Sequence, residues 1–211
     1  MRYPKDHGQQ TRRRIVENAS YGLRQNGADG LSVVDLMKLV DLTHGSFYAY
    51  FKSRDALVIE ALALAMDQTV DHWLDLTQGL PDEKGFNAVV ESYLSSRHRN
   101  NPARGCALPA LAADIGRSGP EARRTFAGRL EKMIDVIAGL IPKRSSTDAR
   151  QAAASAVATM VGSIVLARAA GDKQLSDALL EAGRQALRTQ AASGGAQRPQ
   201  RTEPGFERRK L

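Results

Sequence analysis

Between Leu31 and Leu57 the chain reads LSVVDLMKLVDLTHGSFYAYFKSRDAL, and no other stretch constrains the fold as much. Ser32 has the character of an N-cap, with Asp35 three residues on as its capping-box partner. Val33, Leu36, Met37 and Val40 then recur at helical spacing. Asp41 and Leu42 make a turn, and Thr43 caps a second helix. In that helix Phe47 and Phe51 point one way, leaving His44, Ser46, Tyr48 and Tyr50 for another surface. Ser53 ends it and caps a third. Two helices of about eight residues or fewer are not stable alone in water. Such a pair has to be held at a fixed angle by its surroundings, which is what a helix-turn-helix needs to set its second helix into a DNA major groove.

Charge supports that reading. The formal net charge is +7. The surplus lies in residues 1–54 and 193–211, while the middle of the chain balances, as phosphate binding at the reader and the tail requires. Alanine and leucine are abundant and aromatics make up only 5% of residues, so an all-α fold is expected. The single cysteine, Cys106, excludes an intramolecular disulfide framework. The opening MRYPKDHGQQ has no apolar run of the kind a secretory signal needs, and a cytoplasmic location is expected. The uncharged run from Gln151 to Ala167 is shorter than a membrane span and reads as a buried helix.

The run Gly45-Ser46-Phe47-Tyr48-Ala49-Tyr50-Phe51-Lys52-Ser53-Arg54-Asp55-Ala56-Leu57 closely resembles the recognition-helix signature of the tetracycline-repressor (TetR) family. Thr11 to Ala19, then Gly27 and Ser32-Val33, resemble the same family's first helix and its junction to the second. The resemblance covers roughly residues 10–60. It implies a dimeric DNA-binding regulator, most often a repressor, released from a palindromic operator when a small molecule enters its second domain. By the same resemblance the DNA contacts are Ser32, Val33, Thr43, His44, Gly45, Ser46, Tyr48, Tyr50 and Arg54. The position matching Tyr48 touches the DNA backbone, and the one matching Arg54 holds a phosphate. Lys52 stands where many members have proline and is a further phosphate candidate. From chemistry, His44 and Ser46 suit base edges, Gly45 admits close backbone approach, and Phe47, Phe51, Leu36 and Val40 suit a core. Arg12, Arg13 and Arg14 face either a phosphate or solvent.

The expected organisation is a DNA-binding domain over 1–54, a helical ligand-binding and dimerisation domain over 55–192, and a disordered basic tail over 193–211, with about nine helices in all. Residues 1–8 read as a flexible arm and helix 1 as 9–26. Further helices are expected over 53–77, 82–99, 105–115, 120–140, 146–170 and 175–190. The last two are the candidate homodimer surface, through a stripe of Ala152, Ala156, Met160, Ser163, Ile164 and Ala167, joined by Leu175, Leu179, Leu180, Ala186 and Leu187. The alternative is that both helices line the core of one protomer; the four-helix dimer interface that the resemblance implies is the favoured expectation. Candidate effector contacts are Trp73, Phe86, Tyr93, Cys106, Leu111, Phe126, Met133 and Met160, although apolar stripes at helical spacing are ordinarily core. Cys106 follows Arg104 and Gly105 at an expected helix start, where a dipole and a cation lower a thiol pKa. It reads either as a redox or electrophile sensor or as a small buried apolar residue.

No enzyme site, cofactor or metal is expected. The histidines at 7, 44, 72 and 98 are scattered, and no Gly-rich phosphate loop occurs. A helical architectural protein that binds DNA without sequence preference is the alternative from another class.

Overall fold

Ser32 opens the first short helix as its sequence implies: Oγ accepts from Asp35 N–H at 3.2 Å. The Asp35 carboxylate does not complete a capping box but lies 3.8 Å from Lys38 Nζ. The computed structural model describes residues 5–28, 30–141 and 146–192. The arm before Lys5 and the basic tail over 193–211 lie outside the described residues.

Among those residues there are nine α-helices, two short 3₁₀ turns and no strands. The DNA-reading end comprises α1 (Lys5–Asn26), α2 (Val33–Leu39), a 3₁₀ turn (His44–Ala49) and the start of α3 (Arg54–Thr77). There follow α4 (Asp82–Tyr93), α5 (Ser96–Asn100), a 3₁₀ turn (Pro102–Arg104), α6 (Leu108–Arg117), α7 (Pro120–Gly139), α8 (Ser146–Ala169) and α9 (Lys173–Ala192). The first helix begins at Lys5, so residues 5–8 are not a flexible arm. Gly8 costs about 1 kcal/mol in a helix interior, too little to break one that its neighbours favour.

α1 packs along α3, which runs on to contact α7 and α4, while α8 lies between α7 and α9. α3 therefore serves both ends of the molecule. Its buried residues Leu57, Val58, Ala61, Leu62, Ala65, Met66, Thr69 and Trp73 follow helical spacing, whereas Leu64 and Val70 are half-buried.

The helix expected over 82–99 is two. α4 stops at Tyr93, and Ser95 starts α5 by accepting at Oγ from His98 N–H at 3.1 Å. Breaking a helix leaves carbonyls without partners. Arginines from the last two helices take them up: Arg184 donates to Leu94 O, and Arg168 to His98 O at 2.9 Å and Arg99 O at 3.0 Å. The helix expected over 105–115 starts later, at Leu108, because Pro102–Arg104 winds into its own 3₁₀ turn and Pro109 sits in the first turn of α6.

α8 has the length and mean hydropathy (1.6 over its most apolar window) to cross a membrane. Here one face of it is core. Ala152, Ala156, Met160, Ile164 and Ala167 are all 5% exposed or less within a single protomer. The small-residue stripe expected to form the dimer surface thus lines the protomer's own interior, as do Leu180 and Leu187. Small residues permit close helix approach wherever a neighbour lies, and here the neighbours are α7 and α9.

Candidate DNA-reading surface and effector cavity

The turn of the helix-turn-helix is a Schellman motif. Leu42 N–H bonds Met37 O at 2.9 Å and Asp41 N–H bonds Lys38 O at 3.1 Å. Asp41 takes the left-handed conformation this requires, with φ 61°. Glycine is commonest there, but a short polar side chain also tolerates it. After Thr43 the chain winds not into an α-helix but into a 3₁₀ turn, with Ser46 N–H bonding Thr43 O at 3.0 Å. The Thr43 side chain makes no capping bond and instead shares a 2.8 Å hydrogen bond with Ser46 Oγ.

Phe47 and Phe51 stack with centroids 5.6 Å apart and are 1% and 3% exposed, so they lock the reader to its scaffold. The opposite rim is open. Ser32, Thr43, His44, Gly45, Tyr48 and Lys52 are exposed and Ser46 is half-buried. His44 and Tyr48 meet edge to face, 6.2 Å between centroids, on that rim. Val33 and Tyr50 are half-buried against the core, which favours packing over DNA contact.

Two arginines are engaged internally. Arg54 donates to Ala28 O and, at 3.3 Å, to Leu31 O, which ties the start of α3 to the link between α1 and α2. Arg12 pairs with Glu60 and lies 4.7 Å over the Phe51 ring. Arg13 and Arg14 stay exposed.

The second site is a cavity of about 620 Å³ between α1, α3, α4, α5 and the turn before α6. Of the expected effector contacts, Trp73, Tyr93 and Cys106 line it. Phe86, Leu111, Met133 and Met160 do not and are plain core, while Phe126 is half-buried on α7. Periodicity marks the inside of a helix but not which inside faces an empty space. Most of the residues that reading missed are polar, Arg24, Gln68, Thr69, His72 and His98 among them. Arg24 carried a signal, since it follows inward-facing Leu23 and stands four residues after Ser20, both fully buried.

His98 is the wall's keystone. Its Nδ1 lies 2.7 Å from Tyr93 O, and its Nε2 accepts from Cys106 N–H at 2.9 Å. The two bonds together require the neutral ring with the proton on Nδ1. Burial, with Arg168 and His72 nearby, brings its pKa down to about 4, so it stays neutral at pH 7. Gly105 is needed beside it, because a Cβ there would lie 2.4 Å from His98 Cδ2.

The Cys106 thiol is buried and its pKa is pushed up by desolvation, against the lowering expected from a helix start. The cause is position: α6 begins at Leu108, so Cys106 precedes the helix and turns into the protein. Tyr93 Oη, also buried and pushed up, is its neighbour but has no partner in hydrogen-bond geometry. Among the described residues no His, Cys, Asp and Glu group could hold a metal.

A reader clamped by buried phenylalanines, followed by an all-helical domain with its own cavity, agrees with two family models. The one for bacterial regulatory proteins of the tetR family matches residues 15–61. The one for the tetracyclin repressor-like C-terminal domain matches residues 84–183. The chain belongs to the TetR family.

Solved structures share this fold. A TetR-family regulator from Cytophaga hutchinsonii is 22% identical, with a TM-score of 0.75 over 89% of this chain and 96% of that one. The reduced form of E. coli NemR is 18% identical, with a TM-score of 0.73 over 85% and 96%. A TetR regulator from Legionella pneumophila is 17% identical, with a TM-score of 0.71 over 83% and 94%. Among curated proteins, none matches the chain. As a TetR-family member the protein is a DNA-binding transcriptional regulator, with 15–61 as its DNA-binding match.

Proposed function

We propose that this regulator is a dimeric repressor that leaves a palindromic operator when a small molecule fills the cavity beside Trp73 and Tyr93. The observation that carries the proposal is that one helix, α1, serves both sites: it packs along α3 at the reader, and its Arg24 lines the cavity. The DNA contacts are then Thr43, His44, Gly45, Ser46, Tyr48 and Lys52, with Ser32 at the start of α2. Arg54 supports them by holding the α1–α2 link. DNA as partner implies a cytoplasmic location. The domain division proposed with it is 1–54, 55–192 and 193–211, with α3 crossing the first boundary.

The dimer forms through the outer faces of α8 and α9, not through the stripe first expected. Val165 and Leu166 are 40% and 55% exposed, Leu175 is 52% exposed, and Ala154, Ala158, Ala178, Ala182 and Ala186 are exposed beside them. Apolar side chains left outside on two adjacent helices suit burial against a symmetric copy, and two readers are needed for a palindrome.

Selection from a random DNA pool tests the function. An inverted repeat should emerge, bound at least about 10³-fold more tightly than scrambled DNA at equal salt. A ratio near one at every salt concentration would leave only the architectural reading.

A second reading, a thiol sensor, rests on Cys106 lining the cavity, where a small electrophile that entered would meet it. The raised thiol pKa opposes it, since the thiolate is the nucleophile. Unchanged oxidant-induced DNA release in Cys106→Ser would remove this reading.

A further inference from the structure

Arg24 is 4% exposed, yet its hydrogen-bond partners among the described residues are all neutral. Its guanidinium donates to Ser20 O at 3.2 Å, Ser20 Oγ at 2.5 Å, Gly105 O at 3.2 Å and Gln68 Oε1. A buried charge is ordinarily paired with its opposite, because neutral dipoles offset only part of the lost hydration. Arg99, also buried at 9% exposed, has such a partner in Asp177 at 2.5 Å. The cavity that Arg24 lines also carries Arg97 and Arg104 on its rim, and no aspartate or glutamate is among its lining residues. The lining also holds Tyr21, over whose ring Arg24 lies at 5.4 Å, and the aromatic pair Trp73 and Tyr93, 6.0 Å between centroids.

We propose that the cavity takes a small organic acid in its anionic form, its carboxylate paired with Arg24 and its apolar body against Trp73 and Tyr93. This rests on the cavity being the effector site and adds the ligand's charge and shape class. Arg24 is the primary contact because it is buried, where an ion pair is screened least, while Arg97 and Arg104 are exposed and draw the anion in. The volume of about 620 Å³ falls in the ordinary range of small-molecule sites. An anion on Arg24 competes with Gly105 O and Gln68 Oε1 for the same N–H groups, so its arrival loosens α1 from the turn before α6.

Trp73 is the only tryptophan in the chain, so its fluorescence reports the cavity directly. The probes are matched acid and amide pairs: benzoate with benzamide, 3-phenylpropionate with its amide, and hexanoate with its amide. At least one acid should change Trp73 emission at about tenfold lower concentration than its amide, as a charge-assisted bond requires. Added chloride should weaken the acid and not the amide. Arg24→Met should abolish the difference between acid and amide, with Arg24→Lys intermediate. Chloride competition on the unaltered protein decides the matter if the Met variant does not fold. Equal response to acids and amides, or no response to any acid, overturns the proposal. Acid binding that leaves operator affinity unchanged would support the anion site and instead refute its role as the effector site.

Discussion

Arg24 donates to the carbonyl of Gly105, 81 residues further along the chain, at 3.2 Å. This bond links the helix that opens the DNA-binding region to the wall of the cavity. A second tie lies close by: Ala28 N–H bonds Asp114 Oδ2 on α6 at 3.1 Å, while Ala28 O accepts from Arg54 at the start of α3. One peptide segment is therefore gripped from the effector side by Asp114 and from the reader side by Arg54. A ligand that shifts the turn before α6 has a short physical route to the reader.

Removing the second tie should be measurable without any ligand. Asp114→Ala leaves a part-buried N–H unpaired and is expected to cost about 1–2 kcal/mol, read from urea unfolding. Amide exchange at Ala28 should quicken. Unchanged protection at Ala28 would show that the tie carries no coupling.

Stability should fall with acid through His98. The ring's pKa in the folded protein is about 4, against an ordinary 6.5. Between those values the unfolded chain binds the extra proton, so the contribution is full above about pH 6.5 and is lost as pH drops toward about 4. The expected loss is about 2–3 kcal/mol, allowing for partial solvent access. His98→Gln should flatten this slope. The carboxylates of Asp177 and Glu181 are held below their ordinary values by Lys173 and Arg184 and so lose their contribution at lower pH, which keeps the two effects apart. A slope that survives in the variant would assign the titration to another group.

Exposure separates contacts from scaffold at the reader. Tyr48 is 67% exposed and Phe47 1%. Tyr48→Ala should change stability by no more than about 0.5 kcal/mol while lowering operator affinity on the order of tenfold. Phe47→Ala should cost about 3–5 kcal/mol. A Tyr48 variant that melted early would place that ring in the core.

Leu166→Glu tests the outer face of α8. Its side chain is 55% exposed within the protomer, so the helical circular dichroism should persist while the solution mass falls from dimer to monomer and operator affinity drops. A variant that kept the dimer mass would move the interface elsewhere.

The reader was legible because its instructions are local. Ser32 and Ser53 cap the helices that follow them, and Phe47 and Phe51 lie within one turn of each other. What sets such features is contained in a few consecutive residues, and a residue string displays it directly. Even there, the 3₁₀ winding of His44–Ala49 was not visible, since its length and hydrogen bonding are imposed by the scaffold that clamps Phe47.

Other features depend on residues far apart in the chain. The stripe of Ala152, Ala156, Met160 and Ile164 has the same periodicity whether it faces a second copy or its own protomer; packing beside α7 and α9 turned it inward. Cys106 stands near a helix start in the sequence, yet burial and the bond from its N–H to His98, eight residues away, set its environment. Arg24 stands beside inward-facing Leu23 in the sequence, but only the fold brings Gln68 and Gly105 to its guanidinium. Residue order alone determined the all-helical class and the DNA-reading segment, because capping and periodicity act over a few residues. Tertiary structure alone decided which face is interior, where the cavity lies and which charge is left without its opposite, because burial and electrostatic pairing are set by the folded neighbours.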